Sequence, residues 1–260
     1  MGDAPGVSCD RPRSGVASRG PNLASASRRR RRGTVSAILG GVPDRMPCDC
    51  PGCPNLFSDK AAADDLASYR RSGPDATTRR LIRAIVAEGI EGSHVLDIGG
   101  GVGAIQLELL DAGAASTESV DASAPYVAVA RAEAERRGFG DRTVHRAGDF
   151  VALADEVAQA DVVTLVRMIC CYSDMPRLVG TSIGHARRMI GLVYPRDALW
   201  VRMLARLMNL GEWLIRRPIR WYIHREAAVD GLLRAAGFER RVLDRGLLWQ
   251  VALYVRGGSA

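Results

Sequence analysis

The stretch VLDIGGGVGA, residues 95–104, constrains the fold more than any other part of this 260-residue chain. Val95, Leu96 and Ile98 run into glycines at positions 99, 100, 101 and 103, and the helix-forming segment AIQLELLD follows. A strand that turns into a helix on glycine brings the main chain close to a ligand and aims the helix's first amides at it. Two spacings coexist. Gly99, Gly101 and Ala104 fit G-x-G-x-x-A, which receives a dinucleotide pyrophosphate, while Asp97, Gly99, Gly101 and Gly103 fit D-x-G-x-G-x-G. Asp121 ends the next strand-like segment, TESVD, about 20 residues on, where a carboxylate accepts both hydroxyls of a ribose. Either way the ligand contains a nucleoside.

Around this unit the texture alternates. Leu81, Ile82, Ile85 and Val86 recur at helical spacing, with Gly89 placed to end that helix. After TESVD come a helix over APYVAVARAEAERRG, a strand over RTVHRAGD, a short helix over FVALADEVA, and strands over ADVVTLVRMI and RMIGLVYP. A long helix from about residue 197 to 217 is ended by Pro218, and a helix near residues 225–237 precedes two strands spaced as a hairpin, FERRVLDRG and LLWQVALYVR. Strand and helix alternating across short glycine-bearing joints predict an α/β fold: a Rossmann-like, doubly wound, mostly parallel sheet with helices on both faces.

Three features favour S-adenosylmethionine over a dinucleotide. Asp97 inside the turn would repel a pyrophosphate but suits, directly or through water, the ammonium of a methionine moiety. Gly148-Asp149-Phe150 after the third strand sets an acceptor and an aromatic where an adenine would lie. Beyond the fifth strand there is only a helical insertion and a hairpin, with no second half-domain for a nicotinamide. With VLDIGGGVG (95–103), SVDAS (119–123), GDF (148–150) and VVTLVRMICCY (162–172), the chain resembles the class I S-adenosylmethionine-dependent methyltransferases over roughly residues 75–256. The resemblance implies seven strands with the last antiparallel. It gives Asp97, Gly99, Gly101 and Gly103 to the methionine part, Asp121 to the ribose, and Asp149 with Phe150 to the adenine. Gly100 and Ala122, in the same turns, complete the expected cofactor-binding set. The segments CDCPGC, RMICCYSD and YPRD further resemble the magnesium-protoporphyrin O-methyltransferase-like group.

The net charge of +7 points to nucleic acid only until it is located. Residues 1–46 hold nine arginines against three acids, net +6, which leaves +1 for the rest of the chain. This segment, with the run Arg28 to Arg32 and little periodic apolar content, is expected to be a disordered basic tail. No discrete function is expected of it, a transit peptide and a nucleic-acid arm being the alternatives. Residues 47–74 form a Cys-containing segment expected to cover one mouth of the domain at 75–260. There is no secretory apolar region and no apolar stretch long enough to cross a bilayer, so a cytoplasmic protein is expected.

Cys48, Cys50 and Cys53 form C-x-C-x-x-C, three soft ligands that suit zinc; free thiols in a turn fit the pattern as well. Cys170 and Cys171 read as small buried thiols; neither follows a proline, and no Asn/Asp-Pro-Pro-Tyr/Phe tetrad is present, so nothing there marks a nucleic-acid base as substrate. His145 reads as an ordinary strand histidine, and His185 and His224 as structural or exposed. The catalytic set is left open, because methyl transfer rests on alignment more than on a base. The helix DALWVRMLARLMNLGEWLIRRPIRWYIH, with Arg202, Arg206, Arg216, Arg217 and Arg220, reads as an apolar, cationic wall for a flat carboxylate-bearing substrate or a membrane surface. A core helix with snorkelling arginines is the competing explanation. The expected activity is methyl transfer to oxygen on a small, largely apolar acceptor such as a porphyrin carboxylate. The alternatives are an RNA methyltransferase using the basic arm and a metal-binding regulatory protein on the same scaffold.

Overall fold

The computed structural model describes residues 57–216 and 220–258. Two helices, α1 (Asp59–Ser72) and α2 (Ala76–Ala87), precede β1 (His94–Ile98), α3 (Ala104–Asp111), β2 (Ser116–Asp121), α4 (Ala124–Arg136) and β3 (Thr143–Ala147). A single helical turn, α5 (Phe150–Leu153), leads to β4 (Ala160–Val166), α6 (Met175–His185) and β5 (Ala186–Pro195). Then come α7 (Leu199–Leu214), α8 (Glu226–Ala235), β6 (Phe238–Arg245) and β7 (Trp249–Arg256).

The seven strands lie in the order β3-β2-β1-β4-β5-β7-β6. β1 to β5 pair in parallel, and β7 runs antiparallel to both β5 and β6. β1 is flanked by β2 on one side and β4 on the other, so the winding reverses there. In such sheets the crevice at the carboxyl ends of the strands flanking the reversal is where ligands bind.

Alternation within the strands divides the core between the two faces. Val95 and Val162 pack with Leu81, Ile85 and Leu109 on the face covered by α2 and α3. Leu96, Val163 and Leu165 pack with Leu178, Val229 and Leu233 on the face covered by α6 and α8. Both faces are buried under helices, and so β4 and β5 read as continuous apolar runs rather than alternating ones.

Two helices depart from the pattern expected of the sequence. α1 begins where Ser58 Oγ accepts from Ala61 N–H, and it buries only Ala62 and Tyr69, too little apolar content to show a stripe. α6 begins at Asp174, whose carboxylate accepts from Arg177 N–H, and carries Pro176 in its first turn. Gly180 and Gly184 lower its helical propensity, yet it buries Met175, Leu178 and Val179. Helix α7 ends at Leu214, earlier than expected; Arg216 follows with φ 55°, and Pro218 lies outside the described residues. The tail at 1–46 and the cysteines at 48, 50 and 53 also lie outside them. Among the described residues no helix is long and apolar enough to cross a membrane.

Candidate cofactor and acceptor site

The glycine turn sits at the reversal. Gly99 (φ 73°), Gly101 (φ 54°) and Gly103 (φ 81°) all occupy the left-handed region, which costs an L-residue roughly 1–2 kcal/mol. Gly99 N–H donates to Val120 O at 2.8 Å and Gly103 N–H to Gly100 O at 2.9 Å, which closes the turn before α3. A Cβ on Gly99 would stand 2.9 Å from Met168 Sδ, whereas one on Gly101 would meet only Tyr126, at 3.9 Å. The turn is thus packed at its start and open at Gly101.

Two carboxylates flank it. Asp121, at the end of β2, accepts from Gly101 N–H through Oδ2 (3.0 Å) and from Ser123 N–H through Oδ1 (2.8 Å). It therefore ties the glycine turn to the turn bearing Ala122, and burial raises its pKa. Asp97 is 1% exposed. Its Oδ1 accepts from Thr164 Oγ1 at 2.7 Å and its Oδ2 from Gln106 Nε2 at 3.1 Å. Burial pushes its carboxyl up to about 6, against those two hydrogen bonds and with a further push from the charge of Asp121. A Cβ on Gly100 would fall 2.4 Å from Gln106 Nε2, so Gly100 makes room for this buried pair. The donor set suits a ligand carrying hydroxyls and positive charge. A pyrophosphate would meet two acids.

The third corner is Asp149, which caps α5 through Val151 N–H at 2.8 Å and lies 3.3 Å from Tyr172 Oη through each carboxylate oxygen. The Phe150 ring is 2% exposed and packs edge-on against His185, with centroids 5.2 Å apart, so it belongs to the core rather than to an open slot. His185 staples α6 to the preceding turn, its Nδ1 2.8 Å from Thr181 O and its Nε2 3.0 Å from Ala154 O. His145 Nδ1 lies 2.9 Å from Ser119 Oγ inside the sheet, and burial, helped by the charge of Arg131, lowers it to about 4. His224 Nε2 contacts Tyr172 O at 3.0 Å, and burial lowers its pKa.

Past the end of β4 the arrangement is less legible in the sequence. Arg167 takes φ 58°, a costly conformation for a long side chain, and its amide donates to Val193 O at 2.7 Å. Its guanidinium pairs with Asp75 at 2.8 Å and lies 5.0 Å from the Trp249 ring centroid, so it links α2, β4 and β7. Cys170 Sγ reaches Arg167 O at 3.1 Å; Cys170 is buried and Cys171 half-buried, both as free thiols. The one hint was that Arg167 is the first charge after VVTLV. Thr164, Gln106 and Met168 were also missed, although a threonine inside an apolar strand at the level of Asp97 was a signal.

The amino-terminal helix reaches this region. Phe57 O accepts from Ser123 Oγ at 3.0 Å, and Asp65 accepts from Tyr126 Oη at 2.6 Å. A separate cleft of about 580 Å3 is lined by Tyr69, Arg70, Glu108, Glu133, Arg136 and Arg137. Its charges pair among themselves: Arg70 Nε donates to Glu133 at 3.0 Å and Arg136 Nε at 2.8 Å, which makes it a helix-docking network. Among the described residues no group of histidine, cysteine or acidic side chains could hold a metal ion.

Residues 95–186 match the family model of methyltransferase domains. No curated relative matches the chain. Among solved structures, magnesium protoporphyrin IX methyltransferase from Synechocystis PCC 6803 with bound S-adenosylhomocysteine is similar at a TM-score of 0.59 and 21% identity, over 78% of this chain and 99% of that one. An O-methyltransferase family protein from Burkholderia thailandensis follows at 0.55 and 16%, over 79% and 64%. The mitomycin 7-O-methyltransferase MmcR reaches 0.53 and 17%, over 78% and 60%. At such identities the structural likeness establishes the fold. The family match runs from β1 to the start of β5, so residues 95–186 carry a methyltransferase domain within a fold like that of the S-adenosylhomocysteine-bound methyltransferase.

Proposed function

We propose that this methyltransferase acts at an oxygen of a small, largely apolar acceptor, and that the acceptor group is a carboxylate of a porphyrin-like molecule. The observation that carries the cofactor side is the pair of carboxylates, Asp97 and Asp121, set around a turn that is open at Gly101. A carboxylate offers about four lone-pair sites, so Asp121 can hold two amides and still accept the ribose hydroxyls. Asp97 serves as a buried counter-charge to the ammonium, with Gly99, Gly100, Gly101 and Gly103 as the backbone around the methionine part. Asp149 takes the adenine amino group, and Phe150, its ring buried, contributes its main-chain amide; Ala122 borders the ribose. When bound, S-adenosylmethionine supplies an electrophilic methyl group on a sulfonium, and the chain's task is to hold the acceptor oxygen in line with it.

A carboxylate acceptor is ionised at neutral pH and needs no base. That suits the exit of β4, where His224 is engaged with the Tyr172 carbonyl. Arg167 above Trp249 offers a flat, cationic and aromatic surface there. The neighbours named for magnesium protoporphyrin IX and for 7-O-methylation of mitomycin support a small-molecule oxygen acceptor. The test is incubation with methyl-labelled S-adenosylmethionine and magnesium protoporphyrin IX, beside a host metabolite extract. Label in a product that mild alkali releases as methanol supports an ester. Label resistant to alkali, or none in either, contradicts the carboxylate assignment.

A further inference from the structure

Helix α7 sits on the body by its small and polar side. Val201 and Ala205 are buried, Asn209 exchanges hydrogen bonds with the main chain of Trp221 at 2.8 and 2.9 Å, and Arg202 Nε donates to Asp197 at 2.7 Å. The opposite side carries Leu199, Met203, Leu207, Leu210 and Leu214, spaced three or four residues apart, so they form one stripe about 24 Å long. Leu199 is 71% exposed and Leu207 64%. Single exposed leucines are ordinary, but a continuous apolar stripe marks a surface that something covers.

The charges around the stripe narrow the occupant. Arg206, Arg216 and Arg220 are exposed beside it or just beyond its end. The helix's one acid, Glu212, is half-buried, with Oε2 turned away from solvent. A second copy docked face to face would set arginine against arginine with no carboxylate of the helix to pair them. Anionic phospholipid matches both features: the stripe enters the acyl boundary while guanidinium groups meet phosphates. Trp200 and Trp213, near the two ends of the helix and 43% and 67% exposed, are side chains that favour that interface. We propose that α7 lies in the plane of an anionic phospholipid surface and docks the enzyme there. The inference rests on α7 alone and does not depend on the acceptor proposed above.

The test uses the full chain with vesicles of equimolar phosphatidylcholine and phosphatidylglycerol, with bromines in the acyl chains to quench tryptophan. The arginines of residues 1–46 will also bind anionic vesicles, but that segment has no tryptophan, and the chain's four are Trp200, Trp213, Trp221 and Trp249. Expected are a blue shift and quenching that vanish in Trp200→Phe/Trp213→Phe. Leu207→Glu/Leu210→Glu should cut partitioning at high salt by tenfold or so, leaving S-adenosylhomocysteine affinity and Tm unchanged. Quenching that is absent, or that survives either double substitution, overturns the proposal. So does equal binding to pure phosphatidylcholine, or a dimer that dissociates in the leucine variant while vesicles are ignored.

Discussion

Asp97 shows how the fold sets the behaviour of one carboxyl group. Burial raises it to about 6, so the folded chain holds the proton more tightly than the unfolded chain does. Its contribution to stability is complete below about pH 4 and is lost as the pH rises through about 6, an effect on the order of 3 kcal/mol. A ligand ammonium favours the ionised form. Affinity for S-adenosylhomocysteine should therefore rise between pH 5 and pH 7, and Asp97→Asn should flatten that rise. Calorimetry at the two pH values measures it, and a flat wild-type profile would remove Asp97 from the ammonium site. Arg167 carries strain of another kind. Arg167→Gly and Arg167→Ala both lose the Asp75 ion pair and the Trp249 contact, but only glycine tolerates φ 58° without cost. The glycine variant should be the more stable by about 1 kcal/mol in denaturant unfolding. Equal stabilities would mean that the strain is absent.

Among the elements, α1 depends most on charge. It buries little, and Arg70 reaches Glu133 of α4, whose carboxylate is held at about 2 by its hydrogen bond to Arg136 and then by Arg70. With the folded pKa below the ordinary 4.5, this stabilisation is present above pH 4.5 and lost as the pH falls toward 2. Glu133→Gln should lower unfolding stability by about 1–3 kcal/mol and remove that acid sensitivity, as urea titrations at pH 3 and pH 7 would show. An unchanged midpoint would mean that α1 docks by other contacts. The same balance explains what was legible in the sequence. β1 and β4 announce themselves as short apolar runs, β2 by the acid that ends it, and the glycine turn by the residue type that φ > 0 demands. α1 and α6 do not, because one is held by long-range ion pairs and the other carries glycines that tertiary packing overrides. The burial of the Phe150 ring is not legible in its sequence neighbours, because it depends on His185 of α6, 35 residues away. The posture of Arg167 depends on partners 92 residues before it and 82 after it, Asp75 and Trp249.

At the scale of the whole molecule, the winding of the seven-stranded sheet reverses at β1, and Asp121 stitches the two turns at that point together through Gly101 and Ser123. The basic segment at 1–46 lacks the apolar periodicity needed to join that core, so a chain beginning at Met46 should keep its Tm within a few degrees. A large drop in differential scanning calorimetry would contradict this. The reading as a whole turns on what the glycine crevice receives. Asp121→Ala removes the acceptors proposed for the ribose hydroxyls, worth roughly 1.5–3 kcal/mol each, so affinity for S-adenosylhomocysteine should fall at least ten- to hundredfold. It also frees two amides, so Asp121→Asn, which keeps one acceptor oxygen, should fall between the two in both affinity and stability. Calorimetric titration of the wild type and both variants with S-adenosylhomocysteine and NAD decides the matter. Tight S-adenosylhomocysteine binding that declines in the order wild type, Asp121→Asn, Asp121→Ala is the predicted result; NAD binding with no S-adenosylhomocysteine binding by the wild type would contradict it.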